Sequence, residues 1–183
     1  MSEPSAYTPQ DAIGLLRIYN RHRDFVRLAL LKLANALNER GVVHDASKML
    51  DDEFAGFSRI SAIYRTQKFG SQEYAASMNR EKATIDLHFS RNSHHPEYPT
   101  YGAPDGSGLL GSEIVEYEAG LSARELTFLD VIEMVCDWWG ARLGYDDARS
   151  WAESAKLNLE HKGKYLTPGQ RWLAEQVIRF FEP

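Results

Sequence analysis

Apolar side chains recur along most of this chain at steps of three and four residues, the spacing of one face of an α-helix. The first such stripe consists of Leu15, Tyr19, Val26, Ala29 and Leu33. His22 fills the one gap in the stripe and is therefore predicted to point inward. Thr8 and Pro9 are residue types typical of a helix N-cap and first helical position, so we predict a helix from Pro9 to about Asn38, ended by Gly41.

Further helical segments are predicted beyond Gly41. The second begins at or near His44-Asp45, and the third runs from Ser71 toward Phe89 and turns His88 inward. A capping-box pattern at residues 122–125 predicts a helix to about residue 143, and two more follow at about 147–160 and 167–181. No alternating run requires a strand and no internal repeat is present. The sequence therefore predicts an all-α fold, a single domain over residues 1–183 with about six helices.

Residues 91–112 break this pattern. They contain Pro96, Pro99, Pro104 and four glycines, which interrupt any regular element. A loop of this length in a compact domain is often functional, and this one includes Asn92-Ser93-His94-His95 near its start. We therefore predict that residues 91–112 form an active-site loop.

Charge and composition narrow the possible functions. A formal net charge of −5 argues against sequence-independent nucleic-acid binding, which needs a basic face. No apolar run approaches the roughly 20 residues of a membrane span, and the first ten residues lack signal-peptide features. A cytoplasmic location without a membrane partner is therefore expected. The single cysteine excludes an internal disulfide and a sulfur-rich metal site.

The histidines give the strongest chemical indication. Five of the six are His22, His44, His88, His94 and His95, and His44 is followed directly by Asp45. Imidazole and carboxylate groups are suitable ligands for divalent metals such as zinc, iron and manganese. Asp45 can contact two ions through its two oxygens, so we predict that it is the central ligand. Lys48, one helical turn later, can reach an anionic group bound to the metals.

These residues resemble the dinuclear members of the HD-domain superfamily of metal-dependent phosphohydrolases, whose pattern is H…HD…H…H…D. The resemblance implies an HD-domain-like helical bundle and two divalent ions, with iron, manganese, zinc, cobalt and magnesium not distinguished. The metal ligands that it implies are His22, His44, Asp45, His88, His94 and Asp137.

Three segments are similar to those of a group of small phage and bacterial proteins. They are HDxSK at residues 44–48, NxHHPE at 92–97 and EMxxDW at 133–138. Ser47 replaces the glycine that is usual before the lysine, and no glycine-rich segment follows the paired histidines, so a cyclic dinucleotide substrate is not implied. Either His94 or His95 can be the ligand, with His94 slightly favoured. Asp130 lies two turns before Asp137 on the same face and is an alternative to it.

The activity implied by the resemblance is phosphoester hydrolysis by a metal-bridging hydroxide. Its catalytic residues are Asp45, Lys48 and Glu133, where Glu133 orients a ligand or carries a proton. The substrate is a small phosphorylated metabolite, a nucleotide or nucleoside monophosphate, contacted by Lys48, Arg91, His95 and Tyr98. Two alternatives stay open: a mixed-valent diiron oxygenase of the same fold, and a non-catalytic metal-stabilised nucleotide-binding protein. A homodimer is also compatible with such a helical domain.

Overall fold

The computed structural model describes residues 8–68, 71–97, 114–116, 122–124, 126–145 and 148–182. The α-helices in these ranges are α1 (Pro9–Val43), α2 (Asp51–Thr66), α3 (Gln72–Arg80), α4 (Lys82–Arg91), α5 (Phe128–Gly144), α6 (Trp151–Lys162) and α7 (Pro168–Phe180). Short 3₁₀-helices lie at Ala46–Met49 and Gly163–Tyr165. The predicted all-α helical class is confirmed.

The only strands in the described ranges are two three-residue segments that pair with each other. They are β1 (Ile114–Glu116) and β2 (Ser122–Arg124), and they run antiparallel with Val115 opposite Ala123. The predicted helix start at residues 122–125 is therefore wrong. The helix begins later because Thr127 caps α5: its hydroxyl accepts from the backbone of Asp130, whose carboxylate accepts from the backbone of Thr127.

The chain divides into two compact units, one ending at Val43 and one beginning at His44. In the first unit, α1 extends past Gly41, and Thr8 and Asp11 form the reciprocal hydrogen bonds of its N-terminal cap. No residue of α1 is buried, and His22 is exposed. The predicted inward orientation of His22 is thus not observed, because no other described element of this unit covers the stripe. The prediction of a single domain over residues 1–183 stays a prediction.

The apolar core of the second unit lies among α5, α6 and α7. Its buried members include Val131, Met134, Val135, Trp138, Trp151, Ala155, Ala174 and Ile178. The Trp151 indole nitrogen donates to the carbonyl oxygen of Ile178 at 3.0 Å, which satisfies its polar atom inside this core. Ser150 and Thr167 cap α6 and α7 with capping boxes, so both helices start at positions that local hydrogen bonds define. Within the described residues, no helix is long and apolar enough to cross a membrane.

Helices α2 and α4 approach each other closely at Gly56. A Cβ atom built on Gly56 would lie 2.7 Å from the Cβ of Thr84 and 2.5 Å from its Cγ2. Glu53 lies one turn before Gly56 on α2, and His88 lies one turn after Thr84 on α4. The missing side chain therefore lets the two helices bring Glu53 and His88 together.

Replacing Gly56 with alanine is expected to destabilise the protein by about 1–3 kcal/mol, the usual cost of overpacking. Thr84 is β-branched and cannot easily rotate away. The measurement is the free energy of unfolding from urea denaturation. The matched control is Gly140→Ala in α5, where an added Cβ meets nothing within 4 Å; alanine should stabilise that helix by about 0.5–1 kcal/mol. Equal stability of the two variants would contradict the importance of this close contact.

Candidate metal centre

Two groups of side chains in the second unit are close enough together to hold a metal ion. The first consists of His44, His94 and Asp137, and the second of Asp45, His88 and His95. In each group, one potential ligand atom from every member lies within 4.8 Å of the others. The histidines come from the turn before the first 3₁₀-helix, from α4 and from the segment after α4, whereas Asp137 comes from α5. The groups are thus assembled from parts of the chain that are far apart in sequence.

Asp45 contacts histidines of both groups. Its Oδ2 atom lies 3.5 Å from Nε2 of His44, and its Oδ1 atom lies 3.2 Å from Nε2 of His88 and 3.4 Å from Nε2 of His94. Its backbone is in the left-handed region, with φ of 55° and ψ of 18°, at the start of the 3₁₀-helix. Aspartate is among the few non-glycine residues that adopt this conformation with some frequency. The predicted central position of Asp45 agrees with this geometry.

Two atoms of this cluster are buried without a hydrogen-bond partner: Oδ1 of Asp45 and Nε2 of His94. A buried polar atom that lacks a partner is uncommon and calls for an explanation. In addition, Nε2 of His95 and Nε2 of His88 face each other at 3.0 Å. Two ring nitrogens in this arrangement can share one proton or can both bind a cation. The donor set, which consists of imidazole nitrogens and carboxylate oxygens, fits a divalent metal ion.

Two further carboxylates hold the opposite side of the imidazole rings. Glu133 on α5 places Oε1 2.9 Å from Nδ1 of His44 and 3.3 Å from Nδ1 of His94. Glu53 on α2 places Oε2 2.9 Å from Nδ1 of His88. A carboxylate that accepts the Nδ1 proton fixes the tautomer in which Nε2 carries a free lone pair. The rings of His44, His88 and His94 are thus held with Nε2 directed toward the other potential ligand atoms.

The electrostatics separate the histidines into two kinds. Hydrogen bonds to Asp137 and Glu133 raise the pKa of His44 to about 10. Burial lowers the pKa values of His94 and His95. Burial would by itself raise the pKa of Asp45, but the adjacent His88 and the charge of Lys48 hold it far below its ordinary value. Asp45 is thus ionised and His94 and His95 are neutral, whereas His44 is protonated in the metal-free protein and would have to release a proton to bind a metal.

Lys48 lies beside Asp45, as predicted. Its ammonium nitrogen is 2.5 Å from Oδ2 of Asp45 and 4.8 Å from the centre of the Phe57 ring. About a quarter of its side chain is exposed. A cation at this place is attached to the cluster and is also accessible to an anionic ligand.

The segment that carries His94 and His95 is anchored on both sides. Asn92 donates to Oγ of Ser47 and to the carbonyl oxygen of His88, each at 2.8 Å. Ser93 donates to Oδ1 of Asp130 at 2.7 Å. Farther along, the buried Glu97 forms an ion pair with Lys162 at the end of α6. These contacts hold the backbone on which the two histidines are placed.

Several predicted positions require correction or refinement. Asp130 caps α5 and accepts from Ser93, so it is not the alternative to Asp137 that the sequence allowed. His95 joins Asp45 and His88 in one group, and His94 joins the other, so both neighbouring histidines have ligand positions. His95, which was predicted to contact substrate, thus has its side chain in a candidate ligand group.

Arg91 was predicted to contact substrate, but its guanidinium is bound to carboxylates of α2. It lies 2.5 Å from Asp52 and 2.8 Å from Glu53. Because its guanidinium is paired with these carboxylates, the geometry gives no support to a role of Arg91 in binding substrate.

Two predicted site residues have no place in this geometry. Tyr98 and the remainder of the predicted active-site loop, residues 99–112, lie outside the described residues. His22 belongs to α1 and to neither ligand group of the described residues, so its role as a ligand stays a prediction.

The sequence analysis missed Glu53 and Lys162, and it named Asn92 only as part of the NxHHPE segment. Glu53 shares a helical face with Gly56 and Ile60, at steps of three and four, and all three are buried. An acidic residue on an apolar stripe was therefore the available signal. Lys162 could not be found in this way, because its partner Glu97 is 65 residues away and no pattern links them.

Comparisons with known proteins identify a family but no activity. The model of a family of unknown function (DUF5662) matches residues 15–180, a range that contains both ligand groups and their supporting carboxylates. No curated protein and no solved structure gives a significant match.

Proposed function

We propose that this chain, which belongs to the DUF5662 family of unknown function, is a metal-dependent phosphohydrolase of the HD-domain type. The proposed reaction is hydrolysis of a phosphoester in a small phosphorylated metabolite, with nucleotides and nucleoside monophosphates as the substrate class. The observation that carries the proposal is the position of Asp45, whose Oδ2 faces His44 and whose Oδ1 faces His88 and His94, in an arrangement that can hold two ions.

The donor set supports the metal part of this proposal. His44, His94 and Asp137 would hold one ion, and Asp45, His88 and His95 would hold the other. A cation would satisfy Oδ1 of Asp45 and Nε2 of His94, the buried atoms that lack partners. Divalent ions at these positions would lower the pKa of a coordinated water and offset negative charge on a phosphoryl group.

Lys48 and Glu133 would bind substrate and orient the metal ligands, respectively. Lys48 would bind a phosphoryl oxygen beside Asp45, because its ammonium is both accessible and next to the ligand groups. Glu133 would keep the Nδ1 protons of His44 and His94 in place, so that neither ring can turn its Nε2 away. The substrate class rests on the resemblance of residues 44–48 to the HD segment and on Lys48 as its cation.

The proposal is tested by elemental analysis of protein purified without a metal-affinity tag, combined with phosphate release from a panel of nucleoside monophosphates. Phosphate release is measured with and without oxygen. We expect about two divalent ions per chain and phosphate release that does not depend on oxygen.

Other results would replace the proposal by a specific alternative. Two irons, oxygen consumption and no phosphate release would indicate the diiron oxygenase. Stabilisation by nucleotides without turnover would indicate a binding protein. A metal-free protein would mean that the histidines and carboxylates only stabilise each other.

A further inference from the structure

Glu53 is a fully buried carboxylate next to the second ligand group. Its relative exposure is 0%. Its Oε2 atom lies 2.9 Å from Nδ1 of His88 and accepts a hydrogen bond from the Ser47 hydroxyl at 3.0 Å. Its Oε1 atom accepts from Arg91 at 2.8 Å. Every oxygen of this side chain therefore has a partner, and one partner is a candidate metal ligand.

Burying this charge requires compensation, because an unpaired carboxylate in the interior is strongly unfavourable. Arg91 supplies the positive charge, and it is itself bound by the exposed Asp52 through two hydrogen bonds of 2.9 and 2.5 Å. Asp52, Arg91, Glu53 and His88 thus form a continuous chain of polar contacts from the surface to the ligand group. A carboxylate that only neutralised Arg91 would not need to reach the imidazole.

We infer that Glu53 is a positioning residue that controls metal binding at the second ligand group, Asp45, His88 and His95, and leaves the first group largely unaffected. The inference rests on the metal site of the proposed function. The contact of Glu53 with Nδ1, an atom that Ser47 Oγ and Asn92 Nδ2 also approach at 3.2 and 2.9 Å, holds the rotation of the His88 ring, so that its Nε2 points to Oδ1 of Asp45 and Nε2 of His95.

The first group has its own supporting carboxylate. Glu133 on α5 contacts Nδ1 of His44 and of His94, and neither of these contacts involves α2. The two orienting carboxylates are therefore on different helices and serve different histidines. Removing one should weaken one metal site and spare the other.

The test is a titration of the metal-free protein with Co²⁺ alone, followed by its visible absorption, for the wild-type chain and for Glu53→Gln. We expect the wild type to bind two Co²⁺ ions. In Glu53→Gln, one ion should bind with unchanged affinity and the other about 10- to 100-fold more weakly, the usual effect of losing a partner of a metal-bound histidine. The absorption bands of the weakened site should be missing at the Co²⁺ concentration that fills the first.

Two further variants make the result specific. Asp52→Asn alters the partner of Arg91 without touching His88, so both affinities should stay at the wild-type values. Glu53→Asp keeps the negative charge that pairs with Arg91 but has a shorter side chain that does not reach His88. It should show the same selective loss of affinity, and it replaces Glu53→Gln in the test if that variant does not fold.

Two outcomes would overturn the inference, and they can be told apart. If the wild type binds two ions and both Glu53 variants bind two with unchanged affinity, Glu53 has no positioning role, while the proposed function stands. If the wild type binds no Co²⁺, the proposed metal centre fails and the inference fails with it.

Discussion

Replacing Asp45 with asparagine is expected to reduce metal binding at both ligand groups and to abolish phosphate release. The amide of asparagine has one oxygen that can bind a metal and one nitrogen that cannot. It therefore cannot be a ligand of both proposed ions through separate oxygens. The loss of activity should exceed the roughly 100-fold effect of removing a residue that only hydrogen-bonds to a metal ligand. Metal content and turnover of a nucleoside monophosphate are the two measurements.

Asparagine is preferable to alanine at this position because Asp45 has a φ of 55°. Asparagine tolerates the left-handed region, whereas alanine there would add backbone strain of roughly 1 kcal/mol or more. The matched control is Asp86→Asn, which removes a carboxylate that pairs with Lys82 on the surface of α4. An Asp45→Asn protein that hydrolyses substrate at the control's rate would refute the central role of Asp45.

Replacing Lys48 with alanine is expected to lower kcat/KM by about 10- to 100-fold while both metals stay bound. A charge-assisted hydrogen bond contributes about 1.5–3 kcal/mol, which corresponds to this range. Lys48 is not a metal ligand, and Asp45 keeps its contacts with the histidines when the ammonium is removed. Steady-state kinetics and elemental analysis of the same preparation separate the two effects.

The control for this variant is Lys156→Ala on α6, where the exposed lysine lies 4.0 Å from Glu160. Exposed pairs of this kind contribute little, so metal content and kinetics should match the wild type. Loss of metal from Lys48→Ala would contradict the proposed role, because it would mean that Lys48 maintains the ligand groups and does not bind substrate.

The helices were largely predictable from local signals. Thr8 is an N-cap as predicted, and Ser71 and Thr167, at two other predicted helix starts, are N-caps as well, because each accepts from a backbone amide of the first turn that it precedes. The start of α5 was wrong because two capping patterns compete within six residues, and the later one, at Thr127, is the one that forms. The break at Glu81 between α3 and α4 was also missed, since no proline or glycine marks it.

The candidate site was predictable where adjacent residues carry the chemistry. His44-Asp45 and His94-His95 are visible as pairs in the sequence, and the structure places all four in the ligand groups. The partners of Arg91 were not predictable, because Asp52 and Glu53 are 39 and 38 residues away. Tertiary packing decides which basic side chain is accessible to a ligand and which one pairs with a buried carboxylate. Helical periodicity alone does not contain this information.

The ion pair between Glu97 and Lys162 joins the segment of His94 and His95 to the apolar core of the second unit. Lys162 ends α6, whose Trp151 and Ala155 belong to that core, while Glu97 follows the two histidines. If a metal ion binds these histidines, it also stabilises the part of α6 that depends on their segment, and by linkage a substitution that loosens α6 weakens metal binding. Substitutions among tryptophans remote from the histidines would then act as tuning positions for metal affinity, and the protein's melting temperature would report how much metal its surroundings contain.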